Sequence, residues 1–291
     1  MGVLKLALII NPASGKGLTE KKKRQLFLFF NALPFSYQVY FTTKPKDYEG
    51  IKQFLDSDRF KIISVVGGDG TLNEVINSKI EIENYLWHLI PWGTGNDLSR
   101  MFDKYNWQDA LLHKVEKTVD YWLIDDVLFI NALGFGFDGA VASDTHQDFI
   151  FPWPNAWKYH LSILKNIFGY KEFKVVLHSE NQKLYSGTAF MITLANGAFF
   201  GNGFHIAPSA EIDDKILDIY VIEKISTLRR ILNLLKARQG KHTRLSEVKL
   251  FRKENVLMSF SSNVLGQKDG ELFSSSGSSV QYGGQICFLT N

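Results

Sequence analysis

Short apolar runs alternate with longer segments of helical spacing through residues 1–125. "LKLALII" predicts a buried strand, and "TEKKKRQLFLFFNAL" has helical length with its apolar residues gathered in the second half. "YQVYF" predicts a second strand and "DYEGIKQFLD" a second helix. "KIISVV" and "LWHLI" are further strands, separated by a "TLNEVIN" helix. Such alternation predicts an α/β domain with a parallel, doubly wound sheet, which binds ligands at the carboxyl ends of its strands.

From Val119 onward the pattern changes. "VDYWLID", "VLFINAL", "FKVVLHS", "KLYSGTAFMITLAN", "ILDIYVIE", "VKLFRK" and "NVLMSFSS" predict strands with fewer helices between them. Residues 126–291 therefore read as a second, β-rich domain, an antiparallel sandwich or barrel. Helical patterns interrupt it near 156–168 and 226–238. "SSSGSS", 274–279, predicts a flexible loop by composition. The tail strand at 285–290 could belong to either domain.

Composition narrows the classes. A chain of 291 residues is long for one core, which again favours two domains. Hydrophobic residues at 45% and charged residues at 22% exclude a disordered chain. The net charge of +3 gives no ground for a nucleic-acid partner. A single cysteine, Cys287, excludes an internal disulfide and a cysteine zinc cage, and fits a reducing compartment. "KLALII" is too short and lacks the basic leader of a signal peptide, and no apolar window approaches the roughly 20 residues of a spanning helix. The expectation is a soluble, cytoplasmic protein able to touch a membrane surface.

Three loops follow first-domain strands, and all are rich in small residues: "NPASGKG" (11–17), "GGDGT" (67–71) and "PWGTGND" (91–97). Glycine admits close backbone approach, and loop amides beside a helix N-terminus make an anion site. One such loop is a turn; three at one edge of a parallel sheet predict a polyphosphate site. The Walker pattern is absent, because Lys16 is followed by Gly17 and position 10 is Ile. "GFGFDG", 134–139, matches G-x-G-x-x-G, but no acidic residue closes a second parallel strand about 20 residues later, so it reads as a strand-to-helix turn. Asp69 either caps a turn or organises magnesium between itself and phosphate.

"VVGGDGTLNEVIN" followed by "IPWGTGNDLSR" resembles the catalytic domain shared by soluble diacylglycerol, sphingosine and ceramide kinases. "IAPSAEIDDKILD" (206–218) and "KDGE" (268–271) extend the resemblance over essentially the whole chain. The resemblance implies ATP bound in the cleft between an α/β and a β-rich domain. The nucleotide set would be Asn11, Ser14, Thr42, Gly67, Gly68, Gly70, Thr71, Asn73, Glu74, Gly93, Thr94 and Asn96. It implies Glu271 as base for the lipid hydroxyl, with Asp69 organising Mg2+. It also implies a structural magnesium held by the Asp214 carboxylate and the Glu211 and Ile216 carbonyls, with Asp69, Asp120 and Asp213 linked through water. Lys215 stands where the family generally has glycine, which puts that ion in question. "GQKDGELF" would place Asp269 and Glu271 on one side if extended, or bend at Gly270; "KDGE" also reads as a hairpin turn.

A lipid substrate implies peripheral contact with the inner face of the membrane. The aromatic segment 149–168 suits a membrane boundary or an aromatic core corner. In 226–241, Leu228, Ile231, Leu232 and Leu235 make one apolar stripe flanked by Arg229, Arg230, Lys236, Arg238 and Lys241, suited to anionic lipid or to covering a core. "KKKR", 21–24, reads as a solvated face, and His88 as a core or cleft-lining side chain. The favoured function is an ATP-dependent kinase converting diacylglycerol to phosphatidic acid; NAD phosphorylation and a non-catalytic nucleotide or lipid sensor are the alternatives. Related bacterial enzymes include homodimers.

Overall fold

The computed structural model of the protein describes residues 5–146, 155–201 and 203–291. The chain divides into two compact units, residues 1–119 with 284–291, and residues 120–283.

The first unit runs β1 (Lys5–Ile10), α1 (Glu20–Asn31), β2 (Ser36–Phe41), α2 (Tyr48–Asp56), β3 (Ile62–Gly67), α3 (Asp69–Ile76), β4 (Leu86–Pro91) and α4 (Trp107–His113). The strands are parallel in the order β4-β3-β1-β2. β3 is buried along its whole length, as a continuous apolar run requires when both faces of a parallel sheet are covered. α1 starts where the Thr19 hydroxyl accepts the Lys22 amide, an N-cap supplying one of the acceptors that helix starts lack. Leu8, Ile10, Ile62, Val66, Ile90 and Leu289 share one core. Leu289 arrives from the chain's end, whose Cys287 and Phe288 pair in parallel with Leu86 and Trp87 of β4.

β5 (Val115–Ile124) leads into the second unit. There follow β6 (Val127–Phe129), β7 (Ala132–Gly136), α5 (Phe137–His146), α6 (Asn155–Gly169), β8 (Phe173–Ser179), β9 (Gln182–Ala195), β10 (Leu217–Glu223), α7 (Thr227–Arg238), β11 (Val248–Lys253), β12 (Val256–Lys268) and β13 (Glu271–Thr290). Pairing among β7 to β12 is antiparallel. β7 and β8 each pair with both β9 and β12, so the two long strands are shared by two layers. A shift of register at Ser259/Val264 falls between the β8 and β7 pairings of β12, as bulges do where strands change sheets. Trp122, Phe129, Phe135, Leu194, Ile219 and Met258 are buried in the core they enclose.

Two expectations are corrected here. "SSSGSS" is no loop: residues 274–280 pair with β12 inside β13. Gly277 packs closely on the Met258 carbonyl, and the Ser278 hydroxyl donates to Ser275 Oγ at 2.9 Å. Polar composition signals a loop only where backbone groups lack a partner strand, and β12 supplies one. "VLFINAL" is two strands, β6 and β7, with a break at Ile130 and Asn131. Of the aromatic segment 149–168, residues 149–154 lie outside the described residues.

Candidate functional site

Register decides where the three small-residue loops emerge. Ile10 pairs with Phe41 and Val66, and Gly67 with Pro91, so β1, β2, β3 and β4 end at one level. Backbone bonds then lace the loops together. The Asn11 amide donates to Val66 O at 3.1 Å, Gly93 N to Gly67 O at 3.0 Å, and Thr42 N to Ile10 O at 2.9 Å.

The glycines are there because loops touch. A Cβ on Gly68 would come within 2.9 Å of Gly93 Cα, and one on Gly93 would overlap Gly68. A Cβ on Gly15, whose φ is +63°, would reach 2.5 Å from Trp92 O. At Gly67 it would strike the Thr71 side chain. Gly70 differs: an added Cβ would meet no atom within 4 Å. Its freedom serves an open face at the start of α3, where first-turn amides have no intrahelical acceptor.

Side chains hold this frame. Asn11 Nδ2 donates to Thr71 Oγ1 at 3.1 Å, while Asn11 Oδ1 accepts from Ala13 N at 3.0 Å. Asn96, at φ +55°, closes its loop by accepting from Gly93 N and donating to Gly93 O, both at 3.0 Å. Glu74 accepts the Lys46 amide at 3.0 Å and so fixes the loop after β2. Ser14 accepts the Gly17 amide at its carbonyl, at 2.9 Å. Asn73 is buried within α3 and Thr94 is exposed. Lys22, from the "KKKR" run, lies 5.3 Å over the Trp92 ring.

Asp69 reaches across to the third loop. Its Oδ2 accepts from Asp97 N at 2.9 Å and its Oδ1 from Leu98 N at 3.3 Å. Burial pushes its pKa up, against the pull of those two amides and the Arg100 charge; the residue still keeps part of its surface in contact with solvent. His88 is a core side chain: its ring lies 2.8 Å from Ser64 Oγ and 2.7 Å from Trp107 O, and burial lowers its pKa to about 4.

In the second unit, "KDGE" is a two-residue hairpin between β12 and β13, with Lys268 opposite Glu271. Asp269 and Gly270 have φ of +43° and +88°, the positive pair that Asp-Gly supplies in such turns. The extended arrangement with Asp269 and Glu271 on one side is thereby corrected. The Asp269 carboxylate instead accepts from Ile130 N at 2.8 Å and from Asn131 N and Ala132 N at 3.0 Å. It clamps the β6–β7 break, and Glu271 stands half-buried beyond the turn.

Two of the residues assigned to a structural ion, Asp214 and Asp120, are engaged by protein donors. Asp214 Oδ1 accepts from Ile216 N at 3.0 Å, and Oδ2 from Arg252 Nη2 at 2.6 Å. Arg252 Nε donates at 2.9 Å to Asp218, which is fully buried. Asp120 accepts from Lys215 N at 2.6 Å and from the Tyr282 hydroxyl at 3.4 Å. Lys215 adopts φ +61°, the conformation for which glycine is the ordinary choice. Glu211 and Asp213 are exposed. Among the described residues no group of three His, Cys, Asp or Glu side chains is disposed to hold a metal.

The second unit also holds an apolar cavity of about 100 Å³, walled by residues such as Phe137, Ile163, Phe190, Met191, Phe204 and Ile206. Asp138 and Arg230 lie on its wall. Arg230 is turned inward, donating to Glu172 at 2.6 Å and to the Ile167 and Tyr170 carbonyls at 3.0 Å. On α7, Leu228 and Leu232 face outward instead, 68% and 62% exposed. On α6, Leu161, Leu164 and Phe168 are exposed as well. Sequence reasoning passed over Arg252 and Asp138. Arg252 gave no local signal, since only the β10–β11 register sets it opposite Asp218; Asp138 sat inside "GFGFDG", and burial was its missing sign.

Comparison with known proteins agrees with both halves. Residues 5–122 match the model of the diacylglycerol kinase catalytic domain, and residues 131–286 match the YegS C-terminal NAD kinase beta sandwich-like domain. The chain is 26% identical over 288 residues to YtlR of Bacillus subtilis (strain 168), covering 91% of this chain and 92% of that one. It is 24% identical over 273 residues to a diacylglycerol kinase of the same organism, covering 91% and 88%. A crystal structure of a diacylglycerol kinase from Bacillus anthracis str. Sterne superposes with a TM-score of 0.73 at 21% identity, covering 100% of this chain and 98% of that one.

Proposed function

The chain belongs to the diacylglycerol kinase family of lipid kinases, and from that premise we propose that it phosphorylates diacylglycerol to phosphatidic acid with ATP. The observation that carries a lipid acceptor over a soluble one is the apolar cavity of the second unit. Walls of aliphatic and aromatic side chains gain roughly 25 cal/mol for each Å² of alkyl chain they take from water, and they offer little to a nucleotide.

The first-unit loops hold the nucleotide in this reading. Amides at the start of α3, with Asn11, Ser14, Thr42, Thr71 and Thr94, supply donors to the phosphates. Gly67, Gly68 and Gly93 let the loops close up, and Gly70 lets phosphate approach the backbone. Asn73, Glu74 and Asn96 act by holding the loops in place. The lipid hydroxyl oxygen attacks the γ-phosphorus, the bond to the bridging oxygen breaks, and ADP leaves. Glu271 takes the hydroxyl proton as the new bond forms. Magnesium carried by ATP would offset phosphate charge, and Asp69 is the first-unit carboxylate suited to meet it.

The structural ion is a separate matter, and its assigned carboxylate, Asp214, already meets a competing cation in Arg252. Magnesium asks for near-octahedral oxygen ligands and keeps several waters. Here the carboxylate of Asp214 already receives a guanidinium and an amide, and Lys215 takes up the turn conformation itself. Arg252 supplies the positive charge.

Membrane contact is part of the same reading. No helix among the described residues is long and apolar enough to cross a membrane. Leu228 and Leu232, outward on α7, with Lys236 and Arg238 in its last turn, suit a helix lying on anionic lipid at the cytoplasmic face. The test is phosphorylation by labelled Mg-ATP of diacylglycerol micelles offered beside NAD. Labelled phosphatidic acid is the expected product; labelled NADP without labelled lipid would overturn the assignment. Glu271→Gln should lower kcat at least about 100-fold, within the range general bases contribute.

A further inference from the structure

"GFGFDG" is the turn from β7 into α5, and its three glycines are sterically demanded. A Cβ on Gly134 would overlap the Asp138 carboxylate, and one on Gly139 would overlap the Leu265 carbonyl. Gly136 has φ +90°. The motif therefore presses the first turn of α5 onto β7 and β12, and what it seats there is Asp138.

Asp138 is 8% exposed and Gln267 4%. Gln267 Nε2 donates to Asp138 Oδ2 at 2.6 Å, and Gln267 Oε1 accepts from Gly270 N at 2.7 Å. The carboxylate decides which way the amide points. An ionised carboxylate only accepts, so it draws the NH2 group toward itself and leaves the carbonyl oxygen for the Gly270 amide. Gly270 immediately precedes Glu271, and on its other side Asp269 is already clamped by three backbone amides. Asp138 meanwhile lines the apolar cavity.

We propose that Asp138 and Gln267 are positioning residues, a buried two-bond link from the cavity wall to the turn that aims Glu271. The inference rests on Glu271 acting as the base. Asp138 never touches the reacting atoms; it sets the orientation of one amide, and that amide sets the backbone before the base. Side chains that merely filled the space between α5 and β12 could be exchanged for apolar ones of equal volume with little effect on turnover. Side chains that orient the base could not, because misplacing a catalytic group by about 1 Å costs on the order of 100-fold.

The experiment compares Gln267→Met, Asp138→Leu and Asp138→Asn in the full chain, with kinetics against diacylglycerol micelles and ATP. Gln267→Met keeps the volume but removes both hydrogen bonds; Asp138→Leu removes the acceptor. Both should lower kcat roughly 10- to 100-fold with KM for ATP unchanged. Asp138→Asn still offers a side-chain oxygen to Gln267, and should stay within about threefold of the parent. Wild-type kcat in Gln267→Met, or an Asn variant as impaired as the Leu variant, overturns the link. Hydrogen exchange at the Gly270 amide separates this inference from the reading beneath it. Losing its acceptor should speed that exchange at least about tenfold in Gln267→Met. If Glu271→Gln proves fully active while Gly270 exchange still quickens, the base is misassigned and the link, though present, aims no base. Unchanged exchange in Gln267→Met removes the link whatever the activity.

Discussion

Replacing Arg252 by methionine keeps much of the side chain's length and removes its charge, and the consequence can be sized from its two partners. Asp218 is fully buried and receives Arg252 Nε at 2.9 Å; Asp214, about one-fifth exposed, receives Nη2 at 2.6 Å. Stripping one partner from a fully buried ion pair costs about 3–5 kcal/mol, because the remaining charge stays buried. Arg252 keeps 44% of its side chain in solvent, so water enters more readily and about 2–3 kcal/mol is the better figure. At about 2–4 °C per kcal/mol for chains of this order of size, the melting temperature should fall by about 4–12 °C. Thermal unfolding followed by far-UV circular dichroism, without nucleotide, measures it. In parallel, EDTA should leave the wild-type transition where it is, since the guanidinium already neutralises the site. In Arg252→Met, millimolar magnesium should return part of the loss, because two carboxylates then lack their cation. A wild-type protein that loses several degrees to EDTA and regains them with magnesium refutes the reasoning, as does an Arg252→Met protein melting within about 1 °C of the parent.

Gly70→Ala should leave the melting temperature unchanged, since its methyl meets nothing within 4 Å, yet raise KM for ATP about tenfold or more by blocking phosphate approach; initial-rate kinetics check it, and an unaltered KM places the phosphates elsewhere. Leu228→Glu with Leu232→Glu should weaken sedimentation with anionic vesicles at least about tenfold while sparing kcat on micelles, because both side chains point outward. Two buried titrating groups, His88 and Asp138, carry opposite signs in pH. His88 has its pKa lowered to about 4 by burial, so its contribution is present above about pH 6.5 and is lost as pH falls toward 4, about 3 kcal/mol in all. Asp138 has its pKa raised to about 6 by burial, so its contribution is present below about pH 4 and lost as pH rises through 6; urea unfolding should find Asp138→Asn more stable than the parent by up to about 3 kcal/mol at pH 8, with no such gain at pH 4.

Where the sequence was legible, local chemistry and long-range packing agreed. The apolar run of β3 could be nothing but a buried strand, and Gly67 to Thr71 could follow it only as a tight entry to a helix. Asp-Gly at 269–270 announced a hairpin, and its positive φ values are those such a turn needs. Three failures share one cause, which is that the partner lay far away in sequence. Ser274 to Ser279 look like linker until β12 pairs with them. Arg252 looks like an exposed strand residue until antiparallel register sets it beside Asp218. The stripe of α7 suited either lipid or a core, and Arg230, which looks like part of its basic flank, goes inward because Glu172 and two carbonyls satisfy its guanidinium there. Hydrophobic periodicity finds the apolar face of a helix; it does not say that the face is turned toward the core.

Two of the three glycines around Asp69 are there because that aspartate must reach a neighbouring loop. Gly67 makes room for the Thr71 side chain, and Gly68 lets the second loop lie against Gly93 of the third. Only then can the Asp69 carboxylate span the gap and take the amides of Asp97 and Leu98, one on each oxygen. Capping a loop and organising magnesium, the two roles open to Asp69 from sequence, are consequently compatible. Each carboxylate oxygen has a second lone pair after accepting its amide, so the same side chain can fix the loop and still present negative charge to a cation. Asparagine has the reach but would turn an NH2 group toward one of two N–H donors. Glutamate has the charge, but its extra methylene would displace the carboxylate from a space that Gly95 already closes, where even a single added Cβ would lie 2.9 Å from Asp69 Oδ2.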